Sequence, residues 1–424
     1  TYLRAECQRC HTGVKGHNAD GDYRGTGCGS CHVPYSVKGF YEGDDPTINK
    51  EKQGKLLVHS IQSSRDAKVK VHGKSYSGIP TKTCTSCHNR GRRIGVSYEG
   101  LMETSYSSPF MSDGGKQSKL HKKNYIHLQS DIHLKKGMLC QDCHTSGDMH
   151  SLGDLSGAIQ GAVEIECQDC HGTPKAYPWD LPIGYGDEIV GTAPKKGAPR
   201  GVSDTVARYL YKGWVAPKKD GYLISSRGNA MPHIVKNGDE IILHSSSGKD
   251  IPLTPLKKLT DEDKLSPKGK VAMTQVASHI DKMECYACHA TWAPQCYGCH
   301  INIDYSELEQ KKDWVAIANN PTKNGQTLDA ISNKDRLTKA EIEKVKQYLI
   351  SGKVQENRSF LRWEDPPLVV NGDHRISPAI PGCQTTVTVK DKNGKVRLLN
   401  HIFKIPHVEG AGEEGQLAID MAPL

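Results

Sequence analysis

The sequence predicts a mostly irregular fold, with short α-helices, small β-hairpin insertions and otherwise little regular secondary structure. Three observations carry that expectation. One motif, Cys-x-x-Cys-His, occurs seven times and uses fourteen of the fifteen cysteines. Only 36% of the residues are apolar and 6% aromatic, with four Phe in 424 residues, too few large side chains for an ordinary core at this length. Pro and Gly, 22 and 42 in number, are spread throughout and cut the chain into short pieces.

The motifs are Cys7-Cys10-His11, Cys28-Cys31-His32, Cys84-Cys87-His88, Cys140-Cys143-His144, Cys167-Cys170-His171, Cys285-Cys288-His289 and Cys296-Cys299-His300. A random ordering of this composition would give about 0.025 such strings. The string is the attachment signature of c-type haem: two thiols add across the vinyl groups as thioethers, and the adjacent His reaches the iron. On this reading the fourteen cysteines hold seven covalently attached c-type haems, and His11, His32, His88, His144, His171, His289 and His300 are the proximal ligands. A structural zinc site needs two Cys pairs converging on one ion and no His after the second Cys. A disulfide framework suits an oxidising compartment, but not pairs that are each followed by His. Seven porphyrins, about one per sixty residues, would supply the missing apolar surface, so haems rather than helix or sheet packing are expected to organise the fold.

Residues 1–178 form a five-haem region, with short helices expected at the motifs and long loops between them. The string Cys-Gln-Asp-Cys-His occurs twice there, at 140–144 and 167–171. Residues 179–275 lack Cys and read as a haem-free, β-rich insertion. The apolar runs Tyr222–Ile224, Ile234-Val235, Ile241–Leu243 and Ile251 to Leu253 are separated by turn residues, Asn237-Gly238 being the strongest hairpin signal. Residues 276–304 are a closely spaced two-haem segment, with Cys296 only seven residues beyond His289. Residues 305–424 read as a haem-free C-terminal region. A capping box at Thr338 and Glu341 opens an expected helix with Ile342, Val345 and Leu349 on its apolar side and Gly352 at its end. A second hairpin is expected from Thr386–Lys390 and Val396–Leu399 around Asn393-Gly394.

Seven irons with two His each would need seven ligands beyond the motif histidines. Thirteen other His are present. His17, His59, His72, His121, His127, His133, His150 and His279 lie in loops near motifs and are the candidate distal ligands. His133 and His279 shortly precede a motif; His17 and His150 each follow a motif His by six residues. His233, His244, His374, His401 and His407 lie in β-like or tail regions and read as structural or surface residues. Bis-His ligation gives low potentials, suited to anaerobic respiration. Cys383, with no His after it, reads as a small buried residue.

The formal net charge of +8 suggests a polyanionic partner at first sight. Each ferric bis-His haem adds −1, so the oxidised protein would carry about +1 and the fully reduced one about −6. The basic residues are scattered, with no aromatic-interleaved patch, and nucleic acid is not an expected partner. No stretch approaches the roughly eighteen apolar residues that span a bilayer. The absence of a leader before Thr1 reads as a mature, secreted form, periplasmic or extracellular.

The motifs, with Gly137–Thr145 flanked by His133 and His150, and Thr291–His300, make the chain resemble large multihaem c-type cytochromes of anaerobic metal- or sulfur-respiring microbes. Haem number and size resemble extracellular cytochrome nanowire subunits. That resemblance implies head-to-tail polymerisation with other copies into a conductive filament, and exchange of electrons with redox partner cytochromes and extracellular or periplasmic acceptors. Multihaem reductases of nitrogen or sulfur oxyanions are also similar, but they need one open iron and often carry Lys in place of a motif His, whereas all seven motifs here end in His. A soluble periplasmic shuttle would use the same bis-His chemistry. Electron transfer, rather than enzymatic turnover, is the expected function.

Overall fold

A computed structural model describes residues 12–14, 16, 20–43, 46–54, 67–71, 74–88, 98–104, 124–127, 129–150, 163–185, 195–205, 217–289, 299–306, 310–312, 349–351, 353–358, 368–370, 374–378 and 385–400. The chain divides into two compact units. One comprises Thr1–Gly16, Gln295–Leu361 and Pro381–Leu424; the other comprises His17–Pro294 and Arg362–Ile380. The division falls between the sixth and seventh motifs, inside the segment expected to hold them as a pair.

The larger unit is built on one five-stranded antiparallel meander: Val202–Ser203, Gly221–Ile224, Ala230–Asn237, Glu240–His244 and Asp250–Leu253. The sequence dictates these strands through alternation. In Glu240–His244 the isoleucine at 241 and Leu243 are buried while their neighbours are partly open. Asn237 pairs with Glu240, and the two-residue loop between them starts with Gly238 at φ 58°, the left-handed conformation that favours glycine. Pro232 would break a regular ladder. The structure accommodates it with a bulge, because the register jumps from Tyr222↔Val235 to Leu223↔Met231.

One face of the sheet buries Leu223, Met231, Ile234, Ile241 and Leu243, and Met138, Ile165, Cys170 and Trp179 pack against them. Three of those partners flank or belong to the fourth and fifth motifs, so the sheet is the platform for those attachment helices. Each fully buried aliphatic side chain contributes about 1.5–3 kcal/mol, which makes this a small core. After Leu253 the insertion turns helical, with Leu256–Asp261, Pro267–Lys270 and a π-turn at Val271–Gln275, because Leu256, Leu259 and the cap Ser266 carry helical rather than alternating spacing.

Two small antiparallel pairs occupy the five-haem region where only loops and motif helices were expected: Ala67–Val71 with Lys74–Gly78, and Leu101–Thr104 with Asn124–His127. Alternating Lys and Val in the first pair is a strand pattern. His127 therefore ends a strand rather than lying in a loop.

The smaller unit holds a four-stranded sheet in the order Lys353–Arg358, Cys299–Asp304, Thr385–Lys390, Val396–Asn400. Its central pair is parallel and the outer pairs are antiparallel. Ile301 and Val387 are buried on neighbouring strands. The last two strands are the hairpin around Asn393-Gly394. The second half of the seventh motif thus enters a strand, in contrast to the helices of the other described motifs. Of the helix expected to open at Thr338, the described part is Leu349–Ser351, which is a strand paired with Gln310–Lys312; Leu-Ile-Ser lacks the helical punctuation that Thr338 has. Thr338–Tyr348 and Gly352 lie outside the described residues.

The sheet platform is tied to the fifth motif by Arg200 and Asp169, both side chains fully buried and in direct contact. Breaking such a pair from one side leaves an uncompensated buried charge. Arg200→Met is expected to lower the unfolding free energy by about 3–5 kcal/mol, and Asp169→Asn combined with Arg200→Met by clearly less. Denaturant titration of the holoprotein measures both; equal losses would contradict the pairing.

Candidate haem-binding sites

Five motifs lie wholly among the described residues. Their Cys-x-x-Cys-His stretches form short helices, or enter or leave them by one residue: Gly29–His32 just after Cys28, Thr81–His88, Cys140–Cys143 just before His144, Cys167–His171 and Tyr286–His289 just after Cys285. Residues three and four apart share a helix face, so this local structure turns both thiols and the following His the same way. Cys7, Cys10, His11 and Cys296 lie outside the described residues, as do His17, His59, His72, His121 and Cys383; for Cys299 and His300 the backbone alone is described.

Buried polar residues pin two of the attachment helices and the approach to a third. Asp142 accepts from Leu139 N at 2.7 Å, which caps its own helix, and from Ser245 Oγ (2.6 Å), Ser246 N (2.7 Å) and Ser246 Oγ (2.7 Å) of the sheet's last turn. Asp169, at the same place in the second Cys-Gln-Asp-Cys-His, accepts from Glu166 N at 2.9 Å and from Arg200. Burial pushes the Asp169 carboxyl up, and the Arg200 guanidinium and the backbone amide pull it back down. The stretch before the sixth motif is held by Arg375, whose Nε meets Glu284 Oε1 at 2.9 Å and whose guanidinium also donates to the Ile280 and Met283 carbonyls.

In the larger unit the helices are neighbours in the order of the sequence. Burial raises the Cys31 thiol and Cys84 raises it further. The Cys84 and Cys140 thiols share a hydrogen bond, which lowers Cys84 to about 7 and raises Cys140. Gln141 joins the same two helices by donating to Ile79 O at 2.7 Å and accepting from Thr81 Oγ1 at 3.2 Å. Burial raises Cys170, with Asp169 and then Cys143 adding to it. A second shared hydrogen bond joins Cys167, raised, to Cys285, lowered.

Two motif histidines face candidate distal histidines. His32 and His150 have ring centres 6.2 Å apart and planes within 9° of parallel. His133 and His171 also lie 6.2 Å apart, with planes at 62°. Two imidazoles bound to one metal through nitrogens at about 2 Å have ring centres roughly 6 Å apart, the spacing that both pairs show. Burial, followed by His133 and His289, lowers His171 to about 4, and burial with His144 lowers His88. Neutral imidazole is the form that can ligate.

Hydrogen bonds at the second nitrogen set which atom each His presents. His133 Nδ1 lies 2.9 Å from Asp131 Oδ1, and the same carboxylate caps the helix Ile132–Lys136 by accepting from His133 N at 2.8 Å. Gly137, at φ 106°, closes that helix. His279 Nδ1 lies 2.9 Å from Ala272 O, and His144 Nδ1 lies 3.3 Å from Asp148 Oδ2. Each arrangement leaves Nε2 for a metal, the usual outer-shell support of a ligating His. His127 differs: its Nε2 is 3.0 Å from Ser130 Oγ, which itself donates to Glu99 O, so Nε2 acts as a donor there. His233 donates Nε2 to Asp142 O at 2.8 Å from within the bulged strand, and His244 Nδ1 meets Asp250 at 2.6 Å; both are structural contacts. Sequence reasoning missed the aspartates at 131, 142, 148 and 169, and the repeated Gln-Asp between cysteines was the available signal.

Residues 3–180 match the family model of outer membrane cytochrome MtrC/MtrF-like, domains II/IV. The matched stretch contains five of the seven motifs. This similarity is to multihaem, extracellular-facing electron-transfer cytochromes, and c-type haem is the cofactor it implies for that stretch. No curated protein and no solved structure matches the chain. Among the described residues no helix is long and apolar enough to cross a membrane.

Asp131→Asn keeps the helix cap but weakens the pull on the His133 ring proton, making the imidazole a poorer donor to iron. The expected outcome is a rise in the midpoint potential of one haem while the others hold, read by spectroelectrochemical titration. An unchanged titration curve would contradict the role given to Asp131.

Proposed function

We propose that this chain moves electrons through seven covalently attached c-type haems outside the cytoplasmic membrane, as a conduit rather than a reductase. The observation that carries this reading is the facing of motif and non-motif histidines, His32 with His150 and His171 with His133. Two imidazoles per iron leave no coordination position for a substrate. When bound, haem iron supplies one-electron exchange between ferric and ferrous states, with low potentials under bis-His ligation.

The residues do the positioning. Asp142, Asp169 and Arg375 fix attachment helices or the approach to them, the hydrogen-bonded sulfurs Cys84–Cys140 and Cys167–Cys285 set the third motif beside the fourth and the fifth beside the sixth, and Cys31 with Cys84 and Cys143 with Cys170 are near enough to feel each other's charge. Burial and neighbouring charge are the levers by which the chain sets each potential. Partners on this reading are other redox cytochromes and an electron acceptor outside the cell or in the periplasm.

The finer part of the proposal is assembly. Haem number and chain size support a subunit of an extracellular conductive filament, formed by head-to-tail contacts that do not close. Negative-stain microscopy of native material is expected to show filaments, and monodisperse particles over a wide concentration range would sink this part alone. Pyridine haemochrome assay with intact mass is expected to return seven haems per chain; a count of five or fewer would overturn the reading of the motifs outside residues 3–180.

A further inference from the structure

One short segment, Asp131–His150, contains a motif and two of the histidines that face other motifs. Its first helix, Ile132–Lys136, carries His133 toward His171. Its second, Cys140–Cys143, is the fourth attachment helix. Its third, Ser146–His150, ends on the ring that parallels His32.

A ring spacing of 6.2 Å also falls within ordinary aromatic contacts, so the distance alone decides nothing. Three further features decide it. Each pair joins one motif His to one non-motif His. The spacing is the same, 6.2 Å, at interplanar angles of 9° and 62°. Rotation of an imidazole about its bond to a metal changes the angle between two trans ligands and leaves the ring-centre distance unchanged, whereas a packing contact has no reason to keep it. Finally, the His133 ring is held by Nδ1 on Asp131, which turns Nε2 away from that anchor.

We propose that Asp131–His150 serves three irons at once: His150 is the distal ligand of the haem attached at Cys28 and Cys31, His133 is the distal ligand of the haem attached at Cys167 and Cys170, and Cys140, Cys143 and His144 hold a third haem between them. This rests on the haem reading above. The segment is suited to the task because it is pinned between its helices. Asp142 ties its middle to Ser245 and Ser246 of the sheet. Asp148 joins its third helix to the strand-like approach of the fifth motif by accepting from Glu164 N at 2.9 Å. One rigid piece of chain thereby fixes the second, fourth and fifth haems relative to one another, although their motifs are far apart in sequence.

The test uses the holoprotein and two variants, His150→Gly and His133→Gly, read by EPR and by carbon monoxide difference spectra. Each is expected to convert one haem equivalent from low spin to high spin, and added imidazole to restore it. In a Cys28→Ser/Cys31→Ser background His150→Gly should produce no new high-spin signal, while His133→Gly still should; a Cys167→Ser/Cys170→Ser background should reverse this. Loss of no low-spin haem in either variant, or a signal that persists in the wrong background, overturns the assignment. A structure of the unaltered holoprotein reads the same pairings without any variant, and His150 or His133 on another iron, or on none, overturns it as well. A pyridine haemochrome assay finding no haem would instead defeat the cofactor reading itself, so the two failures are distinguishable.

Discussion

A carboxylate set between the two cysteines of an attachment motif joins the fourth and fifth attachment helices to the five-stranded sheet of the larger unit or to its approach. Asp142 and Asp169 are 2% and 0% exposed. An ionised carboxylate taken out of water costs several kcal/mol unless its lone pairs are used. Asp142 meets that requirement with four neutral donors, two from the backbone and two from serine hydroxyls. Asp169 meets it with a backbone amide and the Arg200 guanidinium. In Asp169 one oxygen caps the motif's own helix and the other meets Arg200; in Asp142 the capping oxygen Oδ2 also accepts from Ser245, and Oδ1 accepts from Ser246. A chain so poor in large apolar side chains has little hydrophobic surface with which to hold these helices, and buried, fully bonded carboxylates give direction that a small apolar core does not.

The consequence is a division of labour. The sheet Val202–Leu253 contains no motif, yet it receives Met138 and Cys170 on its apolar face, Asp142 at its last turn and, through Arg200 just before its first strand, Asp169. What looked in sequence like an insertion between the fifth and sixth motifs is the platform that places the fourth and fifth. The motif neighbours then follow in order from Cys31 to Cys285, with Arg375 holding the approach to the sixth. Imidazoles arriving from Asp131–His150 complete the picture at the second and fifth.

Much of this was legible in the sequence, for identifiable reasons. The motif helices follow from a spacing of three, which one helical turn satisfies, and the hairpins at Asn237-Gly238 and Asn393-Gly394 follow from local turn chemistry. His133 and His150 stood out because they flank a motif. The rest depended on long-range partners. Nothing local indicates that Asp142 would find Ser245, or that His150 would turn to His32 rather than to the haem nearest in sequence. His127 looked like any other candidate, and the bond from its Nε2 to Ser130 becomes visible only once the strand Asn124–His127 is paired. Leu349 carried helical spacing, but it pairs as a strand with Lys312, a contact no local pattern encodes.

Two histidines on every iron would make the chain a conduit rather than a reductase. Low-temperature EPR of the air-oxidised holoprotein, with optical spectra of the reduced form before and after carbon monoxide, tests this most directly. Low-spin signals for every haem and no spectral change with carbon monoxide are expected. A stoichiometric high-spin signal accompanied by a carbon monoxide shift would show an open iron and contradict it.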